Sequence, residues 1–572
     1  MNVLDWIVLL GTMLGIAAYG TWRTRHTDHL DTYLKGSRTT KWFTIGLSIM
    51  ATQASAITFL STPGQGFESG IGFVQNYFGL PLALIIICAV FLPIYRKLEV
   101  YTAYEYLGKR FDAKTRLLGA SLFLLQRGLA AGVTIYAPAI ILSTVLGWRL
   151  DLTIILTGLL VIVYTVTGGS AAVSLTQKWQ MAVIFGGMVT AFIVLVSKLP
   201  SGALHVAGAM GKLQAVDFSL NADRRYTIWT GLFGGVFLML SYFGTDQSQV
   251  QRYIGGAALR EGRLGLMFNA VMKVPMQFFI LLLGALVFVF YQFERSPVFF
   301  NEVEWQRVAQ ASDPAKFRAL ELRYQGLHAQ RVAAVRAWLD ARTGADAAIE
   351  GSTRAAMLAA QQKIDAVRQD AKDALVAGDP RVKTKDSDYV FITFILTQLP
   401  HGFIGLLIAV MIAAALGSKA SELNALGATT TIDLWRHFRP LAVHDEARNV
   451  RNAKWFTGFW GLCAILFALF ASFQENLIEA GNIIGSIFYP IVLGLFVVAF
   501  FLKHVGGTAV FWSAIAAQAV ILAGYFLRDA VPLLNFAYLW YNLIGCAACV
   551  LFSLILQAVL GRKPAPIGRP GD

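Results

Sequence analysis

An apolar stretch of the chain, residues 46–66, carries small polar side chains that could bind a ligand within a membrane. It reads GLSIMATQASAITFLSTPGQG, with polar residues Thr52, Gln53, Ser55, Thr58, Ser61 and Thr62 before Pro63, Gly64 and Gly66. Unsatisfied polar groups are costly in hydrocarbon, so such a helix should face a cavity. Backbone released at a break can bind ions or solutes. We therefore predict a break at residues 63–66 and a solute-binding role.

The composition indicates that this stretch lies in a membrane. Hydrophobic residues make up 56% of the 572 residues and charged residues 14%, whereas a soluble domain carries about 25% charged residues. Apolar stretches of spanning length begin near Asn2, Lys41, Val74, Thr115, Leu152, Gln177, Ile228, Leu264, Phe403, Trp455, Asn476, Phe511 and Phe536. We predict an all-α polytopic membrane protein with about 13 transmembrane helices. Residues 3–19 lack a basic n-region, so we interpret them as a retained helix and not a signal peptide.

Basic residues fill alternate loops between the predicted helices. They cluster at residues 23–41, 96–116, 252–263, 436–454 and 562–563, whereas the loop 61–72 has none. The positive-inside rule then places the amino terminus outside and the carboxyl terminus in the cytoplasm. We expect the inner (plasma) membrane of a bacterium. The same bias accounts for the net charge of +14, so we expect the lipid bilayer as a partner and no nucleic acid.

The sequence contains no arrangement typical of an enzyme or a metal centre. All four cysteines, Cys88, Cys463, Cys546 and Cys549, lie in apolar stretches, and the CAAC motif has no second pair. The eight histidines form no HExxH motif or paired cluster. We therefore expect no enzymatic activity and no cofactor.

One segment, residues 292–388, is polar and has no stretch long enough to span a membrane. Residues 313–342 and 351–378 carry apolar side chains at helical spacing among mixed charges, which predicts two helices in an antiparallel hairpin. By the helix count this insertion lies outside the cell. Its simplest role is a solvated cap, and a docking surface for an extracytoplasmic partner is the alternative.

A second polar interruption follows an apolar run in residues 229–252. That segment reads WTGLFGGVFLMLSYFGTDQSQVQR. Secondary transporters commonly contain inverted repeats, each with a broken helix. Residues 41–198 and 227–503 form two groups of five predicted helices, each opened by one interruption, with residues 1–22 and 504–572 supplying one and two extra helices. The alternative is that these glycines only permit close helix packing.

Five motifs together resemble the sodium/solute symporter family. They are TQASAITFLSTPG, FLPIYRKLEVYTAYEYLGKRF, YTVTGGSAAVSLTQKWQ, SYFGTDQSQVQRY and SKASELNALGATTTIDLW. The resemblance runs from about Asn2 to the final helices, excludes the insertion, and is nearest to the iodide, monocarboxylate and multivitamin branch. It implies a five-plus-five inverted-repeat core with two broken helices. It also implies sodium-coupled symport of a small polar or anionic organic solute by alternating access.

The resemblance further implies a sodium ion between the first and eighth core helices. Its ligands would be the carbonyls of Ala51, Ala54 and Ala414 and the hydroxyl of Ser418.

Several positions depart from the family pattern at this sodium site. Gly417 replaces a hydroxyl residue, and the fifth core helix reads Thr176, Gln177 and Lys178 where the family typically has Thr-Asp. Lys419 adds an ammonium within one turn, although helical spacing should point it away. A lost carboxylate and a gained ammonium both disfavour a bound cation. Proton-coupled or uncoupled transport by the same fold and a membrane solute sensor therefore remain alternatives.

Comparison with a sugar-transporting member of the family suggests residues that contact the solute. Tyr77 aligns with a sugar-binding glutamate, so we do not expect a hexose. Lys273 aligns with a substrate-contacting lysine and favours an anionic or carboxylate-bearing solute, the alternatives being snorkelling or a pair with Asp246. Tyr242 aligns with a tyrosine that closes the site from inside. Further candidate cavity residues are Gln53, Thr58, Gln75 and Asn76.

Overall fold

The computed structural model describes residues 1–23, 41–98, 102–254, 257–343, 347–439, 446–471, 475–528, 530–531 and 534–561. For residues 16–23, 98, 167–179 and 446–447, the structure describes the backbone but not the side chains. The basic residues predicted between positions 24 and 40 and at positions 562–563 also lie outside it.

The first half of the chain is helical almost throughout its described length. Its helices are α1 (Val3–Arg23), α2 (Trp42–Gln53), α3 (Ala56–Ser69), α4 (Leu80–Ile86), α5 (Leu92–Leu98), α6 (Ala103–Arg110), α7 (Ala113–Leu146), α8 (Leu150–Lys198) and α9 (Ala203–Ala209). A 3₁₀ segment, Gly70–Tyr77, joins α3 to α4.

The second half follows the same pattern. Its helices are α10 (Gly235–Gly244), α11 (Gln247–Ile254), α12 (Leu259–Phe293), α13 (Glu302–Ala311), α14 (Pro314–Thr343), α15 (Ala347–Gly378), α16 (Ser387–Gln398), α17 (Phe403–Thr429), α18 (Arg436–Phe438), α19 (Glu446–Phe470), α20 (Leu477–Phe501), α21 (Gly507–Leu527) and α22 (Trp540–Leu560). Short π-helical segments precede α10 and follow α17.

The spanning helices agree with the prediction from hydropathy. Nine helical segments of the described residues are long and apolar enough to cross a membrane, and Val3–Gly15, Leu150–Val166 and Thr230–Gly244 are shorter apolar helices. All thirteen predicted stretches fall on helices, with two of them inside α8. The segment containing α17 is 89% buried, whereas α22 is 22% buried. Helix α17 is therefore central to the bundle and α22 lies at its edge.

The first broken helix is interrupted at Ala54 and Ser55, so the predicted break at residues 63–66 is wrong. Helix α2 ends at Gln53 and α3 begins at Ala56, while Ser55 is extended with ψ near 179°. Gly64 and Gly66, which follow Pro63, allow neighbouring backbone to pack closely against α3. A Cβ on Gly64 would lie 2.2 Å from the carbonyl oxygen of Ser387, so neighbouring backbone occupies the space that a side chain would need.

The second broken helix has its interruption where the sequence predicts it. Helix α10 ends at Gly244 and α11 begins at Gln247, which leaves Thr245 and Asp246 outside regular helix. Helix ends expose carbonyls without intrahelical partners. Both interruptions therefore supply polar backbone in the interior of the bundle.

Backbone-to-backbone packing holds α3 against α12, and this contact is testable. A Cβ on Gly284 would lie 2.0 Å from the carbonyl oxygen of Pro63, whereas one on Gly186 of α8 would meet nothing within 4 Å. We expect Gly284→Ala to destabilise the protein by about 1–3 kcal/mol through overpacking. Gly186→Ala should be neutral or stabilising by up to about 1 kcal/mol. Thermal melts of the purified variants measure both, and equal melting temperatures would contradict the close approach.

The insertion contains a helical hairpin with a small core of its own. Helices α14 and α15 pack side by side through Phe317, Leu320, Tyr324, Ile364, Val367 and Ala371. An ion pair between Arg323 and Asp370 (2.7 Å) bridges the two helices. Trp338 of α14 packs near Phe288 of α12. The hairpin therefore rests on the membrane-embedded part of the protein.

Candidate functional site

A cavity of about 130 Å³ lies between the two broken helices. Its walls come from α2 and α3 on one side, α10 on another, and α7, α17 and α20 around them. The lining residues are Thr52, Gln53, Ser55, Ile57, Thr58, Tyr77, Gln126, Arg127, Ala130, Thr134, Leu238, Met239, Tyr242, Glu422, Leu477, Ile478, Gly481, Asn482, Gly485 and Tyr489. The cavity thus combines apolar walls with amide, hydroxyl and charged groups.

The structure brings several of the predicted site residues together at this cavity. Gln53, Thr58, Tyr77 and Tyr242 all line it. The side-chain oxygen of Gln53 has no hydrogen-bond partner in the described structure. The hydroxyl of Tyr242 accepts a hydrogen bond from Nε2 of Gln249 (2.7 Å), which fixes the ring at the cavity edge.

Two other predicted residues lie outside the cavity lining. Gln75 donates from Nε2 to the carbonyl of Tyr226 (3.0 Å) and accepts from the backbone N–H of Asp217 (2.9 Å). It therefore connects the 3₁₀ segment to a loop. Asn76 is fully buried, and neither polar atom of its side chain has a partner among the described residues.

Lys273 is a fully buried side chain on α12. Its Nζ atom lies 5.6 Å from the centroid of the Tyr77 ring and has no hydrogen-bond partner in the described part of the chain. Asn269 and Gln277, four residues away on either side and so on the same helix face, are also buried with their amides unpaired there. Lys273 thus lies beside the Tyr77 ring, on a helix face that carries two further buried polar side chains.

The position of Lys273 along the bundle follows from two glycine contacts on α12. Gly265 approaches Gly46 of α2, and Gly284 approaches Pro63 of α3. Lys273 lies between these contacts in sequence, so it is level with the interruption at residues 54–55. The alternative pairing of Lys273 with Asp246 is wrong, because that carboxylate is bonded to other groups.

Arg127 and Asp246 form a buried ion pair at one end of the cavity. Nε of Arg127 donates to Oδ2 of Asp246 (3.0 Å), and the hydroxyl of Tyr489 donates to the same oxygen (2.6 Å). The Arg127 guanidinium also lies 5.4 Å from the centroid of the Tyr242 ring. This network joins α7, α20 and the interruption between α10 and α11.

A second buried ion pair adjoins the first one, and the sequence analysis did not identify it. Nζ of Lys419 donates to Oε2 of Glu422 (2.7 Å), which also accepts from Oγ1 of Thr134 (3.1 Å). Nη1 of Arg127 lies 3.5 Å from Oε1 of Glu422. Lys419 therefore points toward Glu422, which lines the cavity, and the expectation that Lys419 points away from the sodium site stays a prediction. A lysine and a glutamate three residues apart in an apolar helix were the available signal.

The residues predicted to bind sodium are all buried. They are Ala51 (6% exposed), Ala54 (0%), Ala414 (7%) and Ser418 (0%). The interruption after Gln53 leaves the last carbonyls of α2 without intrahelical partners. The Met50 carbonyl accepts from the Ala54 N–H (2.6 Å), and the Gln53 carbonyl accepts from the Thr58 hydroxyl (3.4 Å). The hydroxyl of Ser418 donates to the Ala415 carbonyl (3.1 Å), which leaves its oxygen able to accept or coordinate.

The remaining positions at the sodium site give less information. Gly417 lies buried within α17 and contributes no side chain. Gln177 and Lys178 belong to α8, but their side chains lie outside the described part. Among the described residues, no group of three or more His, Cys, Asp or Glu side chains could hold a metal ion. A sodium ion would therefore depend on carbonyl and hydroxyl oxygens.

A larger cavity of about 610 Å³ lies between the insertion and the membrane helices. Leu477 lines both this cavity and the smaller one. Nζ of Lys383 donates to the Ala471 carbonyl (2.8 Å), and Asp388 accepts from the Leu477 N–H (3.2 Å). Burial lowers the pKa of Lys383 to about 8 and raises the pKa of Asp388 to about 6. At the edge of the insertion, Lys383 thus contacts the residue after α19, and Asp388 contacts the first residue of α20.

Polar contacts also join α3 to α20 beside Leu477. Asn476 donates to the side-chain oxygen of Gln65, and Nε2 of Gln65 lies 3.4 Å from Oε1 of Glu479. From Leu477 to Tyr489, α20 extends about 18 Å. The smaller cavity therefore lies between two polar networks, one near the insertion and one at Arg127 and Asp246.

Two interrupted helices facing a polar cavity inside a helical membrane bundle are typical of secondary transporters. A model of the sodium:solute symporter family matches residues 33–306 and 372–517. The chain belongs to this family, and the gap in the match falls inside the insertion. The relatives are transporters and not enzymes.

Several curated relatives are identical to this chain at about a third of the aligned residues. The human sodium-coupled monocarboxylate transporter 1 is 34% identical over 274 residues, 47% of this chain and 45% of that protein. The human sodium/iodide cotransporter is 31% identical over 261 residues, 45% and 41% of the two chains. The Oryctolagus cuniculus sodium-dependent multivitamin transporter is 33% identical over 260 residues, 44% and 41%. The chain spans less than half the length of these relatives.

A solved structure supports the fold over the whole chain. The substrate-bound, outward-open structure of a Na⁺-coupled sialic acid symporter has a TM-score of 0.73 and 22% identity, and the match covers 99% of both chains. The predicted five-plus-five inverted-repeat fold is confirmed. The boundaries at 41–198 and 227–503 remain predictions.

Proposed function

We propose that the protein is a sodium-coupled symporter of a small anionic organic solute and that it works by alternating access. The observation that carries this proposal is Lys273, a fully buried ammonium without a hydrogen-bond partner in the described structure. An uncompensated buried charge costs several kcal/mol. Such a residue in a membrane-embedded site suggests a ligand of opposite charge.

The other buried cations beside the cavity already have counter-charges. Arg127 is paired with Asp246, and Lys419 is paired with Glu422. A carboxylate in the cavity would therefore be attracted chiefly by Lys273, with the Tyr77 ring between cavity and ammonium. The names of the relatives are consistent with this class, since monocarboxylates and iodide are small anions.

Sodium is the proposed coupling ion. The donor set is the carbonyls of Ala51, Ala54 and Ala414 with the hydroxyl of Ser418, all buried and all uncharged. Carbonyls freed at a broken helix are typical sodium ligands in transporters. Membership of the sodium:solute symporter family supports the ion, and the ligand assignment is our proposal.

The two polar networks suggest how access alternates. We assign the Arg127–Asp246–Tyr489 network to the cytoplasmic side of the cavity and the Gln65–Asn476 network to the outer side. This orientation places the amino terminus and the insertion outside, as the positive-inside rule predicts. The cavity beneath the insertion is then the entrance for the solute.

Uptake into proteoliposomes tests the proposed function. Labelled short monocarboxylates, iodide, a neutral hexose and a zwitterionic amino acid would be offered under an inward sodium gradient, an inward proton gradient or no gradient. We expect concentrative uptake of one or more anions under the sodium gradient alone. Anion uptake driven only by protons would support the proton-coupled alternative. Uptake that no gradient concentrates would contradict symport.

Ser418→Ala tests the proposed sodium ligand. We expect the sodium concentration that gives half-maximal uptake to rise about tenfold, because one coordinating oxygen is lost and one hydrogen bond is worth about 1 kcal/mol. Uptake at saturating sodium should change little. Ser553→Ala on α22 is a matched control, since that buried hydroxyl also donates to a carbonyl of its own helix. An unchanged sodium dependence in Ser418→Ala would remove this residue from the site.

A further inference from the structure

We propose that Glu422 is the carboxylate of the coupling-cation site and that Lys419 is the cation it holds until sodium binds. This inference rests on the proposed sodium coupling. It assigns a role to two residues that lie outside the ligand set that the family resemblance implies.

The position of Glu422 supports this assignment. Residues four apart on a helix lie on one face about 6 Å apart along the axis, so Ala414, Ser418 and Glu422 follow one another down α17. Glu422 lines the cavity together with Ser55 at the interruption of the first broken helix. Its carboxylate is therefore one turn from the proposed hydroxyl ligand, on the face that the cavity reaches.

Compared with the family pattern, the proposed sodium site lacks one hydroxyl and one carboxylate. Glu422 can supply oxygens in their place. Gly417 supplies no hydroxyl, and Gln177 stands where the family pattern has a carboxylate. A cation surrounded only by carbonyls and one hydroxyl has no full negative charge near it. Glu422 supplies that charge, and sodium is a hard cation that prefers oxygen ligands.

The contacts of Glu422 indicate which cation it exchanges. Arg127 is bonded to Asp246 at 3.0 Å and lies 3.5 Å from Glu422. Lys419 is closer to Glu422, at 2.7 Å, and is 1% exposed. Glu422 therefore depends mainly on Lys419 for its counter-charge, with Thr134 donating a third contact at 3.1 Å.

Charge balance explains why the exchange would be one for one. Arg127 and Lys419 together balance Asp246 and Glu422 within the cluster. A sodium ion added beside them leaves an excess positive charge in a buried site, which is costly. Displacement of the Lys419 ammonium from Glu422 into the adjoining cavity lowers that cost, because water can solvate the ammonium there, and its flexible four-carbon stem permits the movement. Sodium and Lys419 therefore compete for the same carboxylate.

Sodium-dependent thermal stability tests this competition without any solute. The full-length protein in detergent would be melted over a range of sodium concentrations, with choline keeping the ionic strength constant. We expect wild type to be stabilised by sodium, because a ligand that binds only the folded state raises its stability. The sodium concentration that gives half of the maximal stabilisation should rise at least about tenfold in Glu422→Gln and fall several-fold in Lys419→Gln.

A matched pair on the insertion provides the control. Glu304 and Arg307 are also three residues apart and 2.7 Å from each other, so Glu304→Gln should leave the sodium dependence unchanged. If Glu422→Gln does not fold, Lys419→Gln tests the competition alone. An unchanged or raised sodium requirement in Lys419→Gln would overturn the inference.

Failure of this inference can be distinguished from failure of the proposed function. If wild type accumulates an anion under a sodium gradient while Glu422→Gln keeps the wild-type sodium dependence, only the role of Glu422 is wrong. If wild type shows neither sodium-driven uptake nor stabilisation by sodium, both proposals are overturned.

Discussion

Replacing Lys273 by methionine is expected to abolish anion uptake and, at the same time, to stabilise the solute-free protein. The ammonium is fully buried and has no partner in the described structure, so its removal should stabilise the fold by about 1–4 kcal/mol. Loss of the electrostatic attraction between the ammonium and the anionic solute should lower uptake about 100-fold. Thermal melts and proteoliposome uptake measure the two effects separately.

Two variants control for this substitution. Lys273→Arg keeps the charge and should retain more uptake than methionine. Lys198→Met removes an exposed lysine whose Nζ contacts Gln398, so it should change neither stability nor uptake. A Lys273→Met protein that melts at a lower temperature, or that still accumulates the anion, would show that the ammonium has a structural partner and not a solute.

The largest loss of stability is expected on breaking the ion pair between Arg127 and Asp246. Asp246→Leu leaves the Arg127 guanidinium buried without its main counter-charge, which should cost about 3–5 kcal/mol. Arg127→Met should cost a similar amount for the reciprocal reason. The double variant should be more stable than either single variant, because neither charge is then left unpaired. Uptake should be lost in all three if the pair closes the cytoplasmic side.

An exposed pair gives the comparison for this double-mutant cycle. Arg323 and Asp370 on the insertion hairpin are 2.7 Å apart, but both side chains are about half exposed. Their coupling energy should be about 0–1 kcal/mol. Similar coupling energies for the two pairs would contradict the buried network that we describe.

The positions of the membrane helices and of the second interruption could be predicted from the sequence. Hydropathy over about 20 residues is dictated by the bilayer, and each predicted stretch falls on a helix. The run from Gly244 to Gln249 is polar throughout. Its interruption at Thr245 and Asp246 therefore coincides with the strongest change in composition.

The position of the first interruption could not be predicted in the same way. Pro63 and its neighbouring glycines are the usual signs of a helix end, yet they lie inside α3. There the glycines admit the backbones of α12 and the segment at Ser387. Ala54 and Ser55 are unremarkable in type, and only tertiary packing reveals that the helix stops between Gln53 and Ala56.

The charged cluster at Glu422 depends on contacts between distant parts of the chain. Thr134 and Arg127 belong to α7, almost three hundred residues earlier in the sequence. The spacing of Lys419 and Glu422 is a signal for a pair that the sequence analysis did not use, and it could not show that the pair adjoins a cavity. The choice between a structural pair and a site for a cation therefore required the fold.

The charges around the cavity have a consequence for the response of the transporter to membrane voltage. The charges of Arg127, Lys419, Asp246 and Glu422 sum to zero, so Lys273 adds one positive charge to the empty carrier that this cluster does not balance. A charge that crosses the full potential is worth about 2.3 kcal/mol per 100 mV. An inside-negative potential would then retard the outward return of the empty carrier, and a bound monoanion would cancel that effect. The rate of solute uptake would therefore depend on voltage through this return step.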